Sequence, residues 1–177
     1  MKTALLCVLL GIFTMLKAEE RSLDLDKFSG FWYEVGMSSN SKMLLKKKDT
    51  KRLGAIIITP ASNGLHLKII NDDDHVCVRE DFLGVQSENQ EKFIISETRE
   101  FIVLDTDYDT YAIMKLSYED KGQRHHVLQL LCRDLDIVLE GYKKLRKTSE
   151  QFGISKKNAV IFIYDDTCPK ILSKDLQ

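Results

Sequence analysis

The chain lacks what several function classes require. Past residue 16 no apolar run is long enough to cross a bilayer as a helix. Its 26 basic and 27 acidic residues leave a formal net charge of −1, so the strongly basic face of a nucleic-acid binder is missing. There is no CxxC pair and no Cys/His cluster, and His66, His75, His125 and His126 are not at metal-ligand spacing. His125 and His126 are adjacent, and neighbours on a strand point to opposite faces, so no metal or other cofactor is expected. No Asn-x-Ser/Thr sequon occurs, so N-glycosylation is not expected. Internal repeats, linkers and low-complexity segments are absent too. At 177 residues this describes one domain with room for a sizeable core.

What is present begins with a targeting segment. Lys2 precedes a run, residues 4–16, that is apolar apart from Thr14, and Lys17-Ala18 leads into Glu19-Glu20-Arg21. A short apolar run ending in a small residue reads as a signal peptide over 1–18, leaving a mature domain over 19–177. Removing Lys2 and Lys17 with no acid moves the formal charge from −1 to −3. The product is expected to be soluble, secreted and extracellular. Cys7 leaves with the leader, so Cys77, Cys132 and Cys168 remain. Three cysteines imply one disulfide and one free thiol, and spacing alone does not choose the pair.

Strand patterns then recur with turn signals between them. The segments are 31–37, 53–59 (stopping at Pro60), 65–69, 76–83, 93–97, 101–105, 111–118 and 124–132. Asn63-Gly64, the acidic run Asp72-Asp73-Asp74 and Lys121-Gly122 mark turns, and 87–91 is a polar connection. Eight strands with short links predict an antiparallel up-and-down β-barrel with room for one small ligand. The period then changes. Leu135, Val138, Leu139, Tyr142, Leu145 and Phe152 fall near one face of a helix, capped by Asp134 or Asp136 and ended by Gly153. A short strand over 159–164 follows. The fold class is all-β with one C-terminal helix.

Three motifs carry a resemblance. Gly30-Phe31-Trp32-Tyr33 is similar to the G-x-W motif of a lipocalin's first strand, Thr106-Asp107-Tyr108 to the family's T-D-Y motif, and Arg133 to its third-motif arginine. The resemblance implies a lipocalin calyx in which these residues build the closed end. Arg133 would lie across Trp32, a cation–π contact worth about 0.5–2 kcal/mol, and Asp107 and Tyr108 would shape the adjoining loop. These residues, Gly30 included, would maintain the fold without touching ligand. The family's habit of tying strand four to the C-terminal tail implies a Cys77–Cys168 disulfide. Cys132 is then the free thiol, pointing outward with Leu128 and Leu130 beneath the helix.

Strand parity adds a cavity lining. Leu65, Leu67 and Ile69; Val76, Val78, Glu80 and Phe82; Phe93 and Ile95; Phe101 and Val103; Ala112, Met114 and Leu116; and Val127, Gln129 and Leu131 should face inward. Strand two, with three consecutive isoleucines, has no readable parity. Glu80 is the odd member, costly to bury unless paired or near an open mouth. A barrel filled by its own side chains remains an alternative to an open cavity. Residues 42–52 hold six basic residues, which reads as a solvated lid or as a positive rim for an acidic lipid such as a retinoate or fatty acid.

Residues 30–35 and 104–113 resemble those of the epididymal lipocalins related to epididymal retinoic-acid-binding protein. That implies a non-catalytic carrier of a retinoid or similar lipophile, with a role in the epididymis and male fertility. Two other classes stay open: a protein acting through its surface on sperm or a receptor, and a prostaglandin-isomerase-like enzyme. The enzyme needs a cysteine inside the barrel near strand two, and 53–59 holds none.

Overall fold

Alternating apolar and polar residues with two-residue turns build a strand meander, and a computed structural model of the chain describes residues 22–88 and 91–176. Residues 1–18, expected to be a signal peptide, and Asn89-Gln90 of the polar connection lie outside the described residues. A one-turn helix, α1 (Leu25–Phe28), precedes β1 (Gly30–Ser39), and a short helix α2 (Lys42–Lys46) crosses to β2 (Gly54–Ala61). Then come β3 (Gly64–Asp73), β4 (Val76–Gln86), β5 (Lys92–Ser96), β6 (Arg99–Thr106), β7 (Tyr111–Asp120) and β8 (Gln123–Cys132). Each strand pairs antiparallel with the next, and β1 also pairs with β8, so eight strands close into a barrel. The chain continues through α3 (Val138–Gln151), β9 (Ala159–Ile161) and a second helix, α4 (Thr167–Ser173).

β1 is shared among three partners. It meets β2 over Gly30–Glu34 and β8 over Tyr33–Ser39, and β9 takes the edge that β2 vacates, over Gly36–Ser38. A Cβ on Gly36 would lie 2.6 Å from the Val160 carbonyl oxygen, so only glycine lets β9 approach this closely. The β1–β8 register shifts between Glu34 and Gly36. That bulge resets the strand's parity, so that Trp32, Glu34 and then Met37 face inward.

Three apolar layers result. Inside the barrel, Trp32, Phe28, Ile56, Ile58, Leu65, Leu67, Phe93 and Phe101 pack together. Outside β1, β7 and β8, the Leu145 side of α3 buries Val35, Ile113, Leu128, Leu130 and Cys132. Outside β2 and β3, Leu172 of α4 covers Ala55, Ile57 and Ile70. The isoleucine run has no readable parity because both of its faces are covered.

Several expectations are corrected. β2 runs through Pro60, which is tolerated because β1 has ended at the Gly30–Ile58 pair and leaves that flank unpaired. The turn after β2 is Ser62-Asn63, and Gly64 opens β3 because a Cβ there would meet Gly84 O at 2.0 Å. Of the acidic run only Asp74 lies in the turn: β3 extends to Asp73, and Asp74 and His75, both at positive φ, make the hairpin. Neither Asp134 nor Asp136 caps α3; Ile137 holds that position, while Asp134 accepts the N–H of Asp136 in the preceding turn. Of the expected helix face, Leu135, Val138, Tyr142 and Leu145 pack against the barrel wall, while Leu139 (64% exposed) and Phe152 lie off it, and Gly141 and Ser149 complete the buried stripe. The last strand stops at Ile161 rather than continuing to Tyr164. The C-terminal segment has two helices, the second anchored by cysteine.

Candidate functional site

The closed end comes first, because it sets the depth of the interior. Trp32 is fully buried and its Nε1–H donates to Phe28 O at 2.9 Å. The Arg133 guanidinium carbon lies 3.7 Å from the centre of the Trp32 ring. The same group donates to the carbonyls of Tyr108 (3.1 Å), Phe31 (2.9 Å), Lys27 (2.9 Å) and Ser29 (2.8 Å). Gly30, at φ 105°, leaves room for it, since a Cβ would lie 3.0 Å from Arg133 Nη1. In the neighbouring loop Thr106 donates to Tyr111 O, and Tyr108 takes a φ of 69° with its hydroxyl accepting from Asp24 N–H. Burial opposes ionisation of Asp107, but hydrogen bonds from the Thr110 hydroxyl and the Tyr111 and Thr110 N–H groups outweigh it and hold its pKa low.

Cys77 on β4 and Cys168 on α4 form a disulfide, binding the tail to the barrel wall across 91 residues. Cys132 is fully buried on the outer wall beneath α3, where a Cβ on Gly141 would sit 3.4 Å from its Sγ. Burial, with the Asp107 charge beside it, pushes its pKa from 9.0 up to about 12. A thiol so placed is neutral at physiological pH, faces away from the interior and is poorly suited to nucleophilic chemistry.

The interior divides by depth. Leu65, Phe93, Val103, Ala112 and Leu131 point inward, but they pack with Trp32 and fill the lower barrel. Phe93 and Phe101 stack 4.8 Å apart over Gly84, where a Cβ would come within 2.9 Å of Phe101. Above that stack an inner chamber of about 220 Å³ is open. Leu67, Ile69, Glu80, Phe82, Ile95, Phe101, Met114, Leu116, Val127 and Gln129 line it. Ile56, Met37, Leu44 and Tyr118, which parity had not offered, line it as well. An outer chamber of about 620 Å³ adjoins it and shares Met37, Leu44, Lys51, Asn71 and Glu80. Val78 belongs to this outer chamber, and Val76 is exposed at the rim. Glu80 stands at the mouth, where water reaches it. The interior is thus filled below and open above.

The polar wall residues Glu34, Asn71 and Arg99 escaped sequence reasoning. Glu34 is 1% exposed and lines the inner chamber. Its Oε1 accepts from Gln129 Nε2 at 3.1 Å and lies 3.5 Å from Lys51 Nζ. Its Oε2 and the Oδ1 of Asn71 are buried without a hydrogen-bond partner. The signal for Glu34 was available: Trp32 faces inward, so the residue two further along the strand must do so too.

Three of the six basic residues in the basic segment have acidic partners. Lys47 pairs with Asp73, Lys51 with Glu34, and Arg52 with Asp72 and Asp165. Leu44 turns into the chamber while Met43 is 56% exposed. His126 bonds Ser117 and His125 stacks on Tyr118, and among the described residues no cluster of three or more metal-ligating side chains occurs.

Comparison with known proteins agrees with this geometry. Residues 29–166 match the profile of the Lipocalin / cytosolic fatty-acid binding protein family. Epididymal-specific lipocalin-8 of Mus musculus is 33% identical over 140 residues, covering 77% of this chain and 79% of that protein. Epididymal-specific lipocalin-5 of Rattus norvegicus is 30% identical over 155 residues, covering 86% and 82%. In structure, the siderocalin Ex-FABP superposes with a TM-score of 0.74 at 18% identity, over 80% of this chain and 97% of that one. The chain therefore belongs to the lipocalin family, the carriers of small hydrophobic ligands.

Proposed function

We propose that the mature chain, residues 19–177, is a secreted, non-catalytic carrier of a retinoid, with retinoic acid among its candidates, acting in the epididymis and in male fertility. One observation carries the carrier reading: a chamber of about 220 Å³, walled mainly by aliphatic and aromatic side chains, opens to solvent through a larger polar vestibule. Such a site removes an apolar tail from water and leaves its polar end near the mouth. The epididymal assignment rests on the names of the relatives. Secretion is supported by the disulfide, which persists in oxidising compartments.

A surface reading has its own support. A groove of about 850 Å³ outside the barrel is lined by Lys42, Lys115, Lys121, Arg124, His125 and His126 with no acidic residue, and suits an acidic partner such as a receptor on sperm. One experiment separates the two. The protein and a Lys42/Lys115/Lys121→Gln variant, changed only along that groove, are titrated with retinol and retinoic acid while the fluorescence of Trp32, the sole tryptophan, is followed. Saturable quenching in both proteins supports the retinoid carrier, and its absence with either ligand removes the retinoid. Altered cell binding by the variant with unchanged quenching favours the surface reading.

A further inference from the structure

We infer that the carrier site selects its ligand by the head group, holding a neutral hydrogen-bond donor, an aliphatic hydroxyl, at the neck between the two chambers. This rests on the carrier reading and deepens it. The recognising atoms are Glu34 Oε2 and Asn71 Oδ1, both buried and both without a partner. They converge where β2 parts from β1. Both oxygens pack against the bare Cα of Gly54, where a Cβ would lie 2.7 Å from Asn71 Oδ1, 2.9 Å from Ile70 O and 3.3 Å from Glu34 Oε2, so only glycine lets the two acceptors come together here. Asn71 lines both chambers and Glu34 the inner one.

The charge balance decides what kind of donor fits. Lys51 already stands 3.5 Å from Glu34 Oε1, and Gln129 donates to that same oxygen. The carboxylate therefore needs no second cation, but Oε2 still lacks a hydrogen bond. Buried acceptors left open are costly, and an arriving donor recovers that cost. A ligand carboxylate brings only acceptors and a like charge to Oε2. An alcohol brings one O–H to Oε2 and lowers its tail among Ile56, Leu67, Met114 and Leu116. Retinol fits this pattern better than retinoic acid.

The test uses a matched set of short-tailed probes: decanol, decyl methyl ether and decanoic acid, each displacing the neutral dye N-phenylnaphthylamine from the mature protein. Decanol is expected to bind about tenfold more tightly than the ether or the acid, the worth of one hydrogen bond to a charged acceptor. Glu34→Gln should shrink that preference to within about twofold while the ether's affinity holds. Should that variant fail to fold, Asn71→Leu should weaken decanol several-fold and leave the ether unchanged. Equal affinity for all three probes would overturn the proposal, since Oε2 would then already be capped by the Asn71 amide turned end for end. Tighter binding of the acid would overturn it in favour of Lys51 or Arg99, the two cations that line the inner chamber, as the head-group contact. No displacement by any probe, with no binding of the dye, would instead overturn the carrier reading itself.

Discussion

Two polar groups, the half-buried Arg133 at the closed end of this barrel and the buried Glu34 on its upper wall, are treated in opposite ways. At the closed end the Arg133 guanidinium meets four backbone carbonyls and the Trp32 ring, and the Trp32 N–H has its own acceptor. On the upper wall Glu34 has one oxygen doubly engaged and the other unpartnered, beside an equally unpartnered Asn71 Oδ1. The two groups sit on adjacent parts of one strand system, since Trp32 and Glu34 are two residues apart on β1. A satisfied network fixes one conformation, whereas an open acceptor is a standing cost that only a further molecule can remove. Stability is invested below and left unclaimed above.

Three substitutions test that contrast. The largest effect belongs to Trp32→Ala, which empties the closed end and should cost about 3–5 kcal/mol in urea unfolding followed by circular dichroism. A loss under about 1 kcal/mol would show that Phe28 and Ile58 collapse into the space. Arg133→Met keeps the apolar cover on the ring but orphans the carbonyls of Lys27, Ser29, Phe31 and Tyr108. It should cost about 2–4 kcal/mol by the same measurement. The smallest effect is expected at Glu34→Met. Removing a half-satisfied buried carboxylate, with Lys51 still able to reach water, should leave stability within about 1 kcal/mol of the original or raise it. A loss matching that of Arg133→Met would erase the distinction between the two ends.

The closed end was the more legible part because its motifs sit in sequence at fixed spacing, and each residue has one role. The eight strands were legible because turns and alternation mark them. The wall was readable only where one face meets solvent or a helix. Lys115, His66 and Lys68 gave the parity of their strands, but Ile56, Ile57 and Ile58 did not, since α4 covers the outer face. Parity says which way a side chain points and not how deep it lies. Leu65, Phe93, Val103, Ala112 and Leu131 face inward yet belong to the filled lower barrel. Glu34 was hidden for a different reason. A charged residue on a strand suggests a solvent face, and only the step of two from the inward Trp32 corrects that impression, because the bulge after Glu34 breaks the alternation beyond it. Leu139 shows the limit in helices: Val138, Tyr142 and Leu145 share the face that meets the wall, and an apolar residue one position along from that stripe is left to solvent.

The divided edge of β1 has a consequence for how the protein is made. β1 is the first strand to leave the ribosome, yet it needs β2 for its lower half, β8 for most of its length and β9 for its upper edge. The strands β2 to β8 can each zip onto the one just synthesised, whereas β1 must wait, with most of its ladder open, for about a hundred residues more. An early cysteine on β4 waits likewise for its partner 91 positions later. Closure of the ring and oxidation of the tail thus belong to the last moments of synthesis.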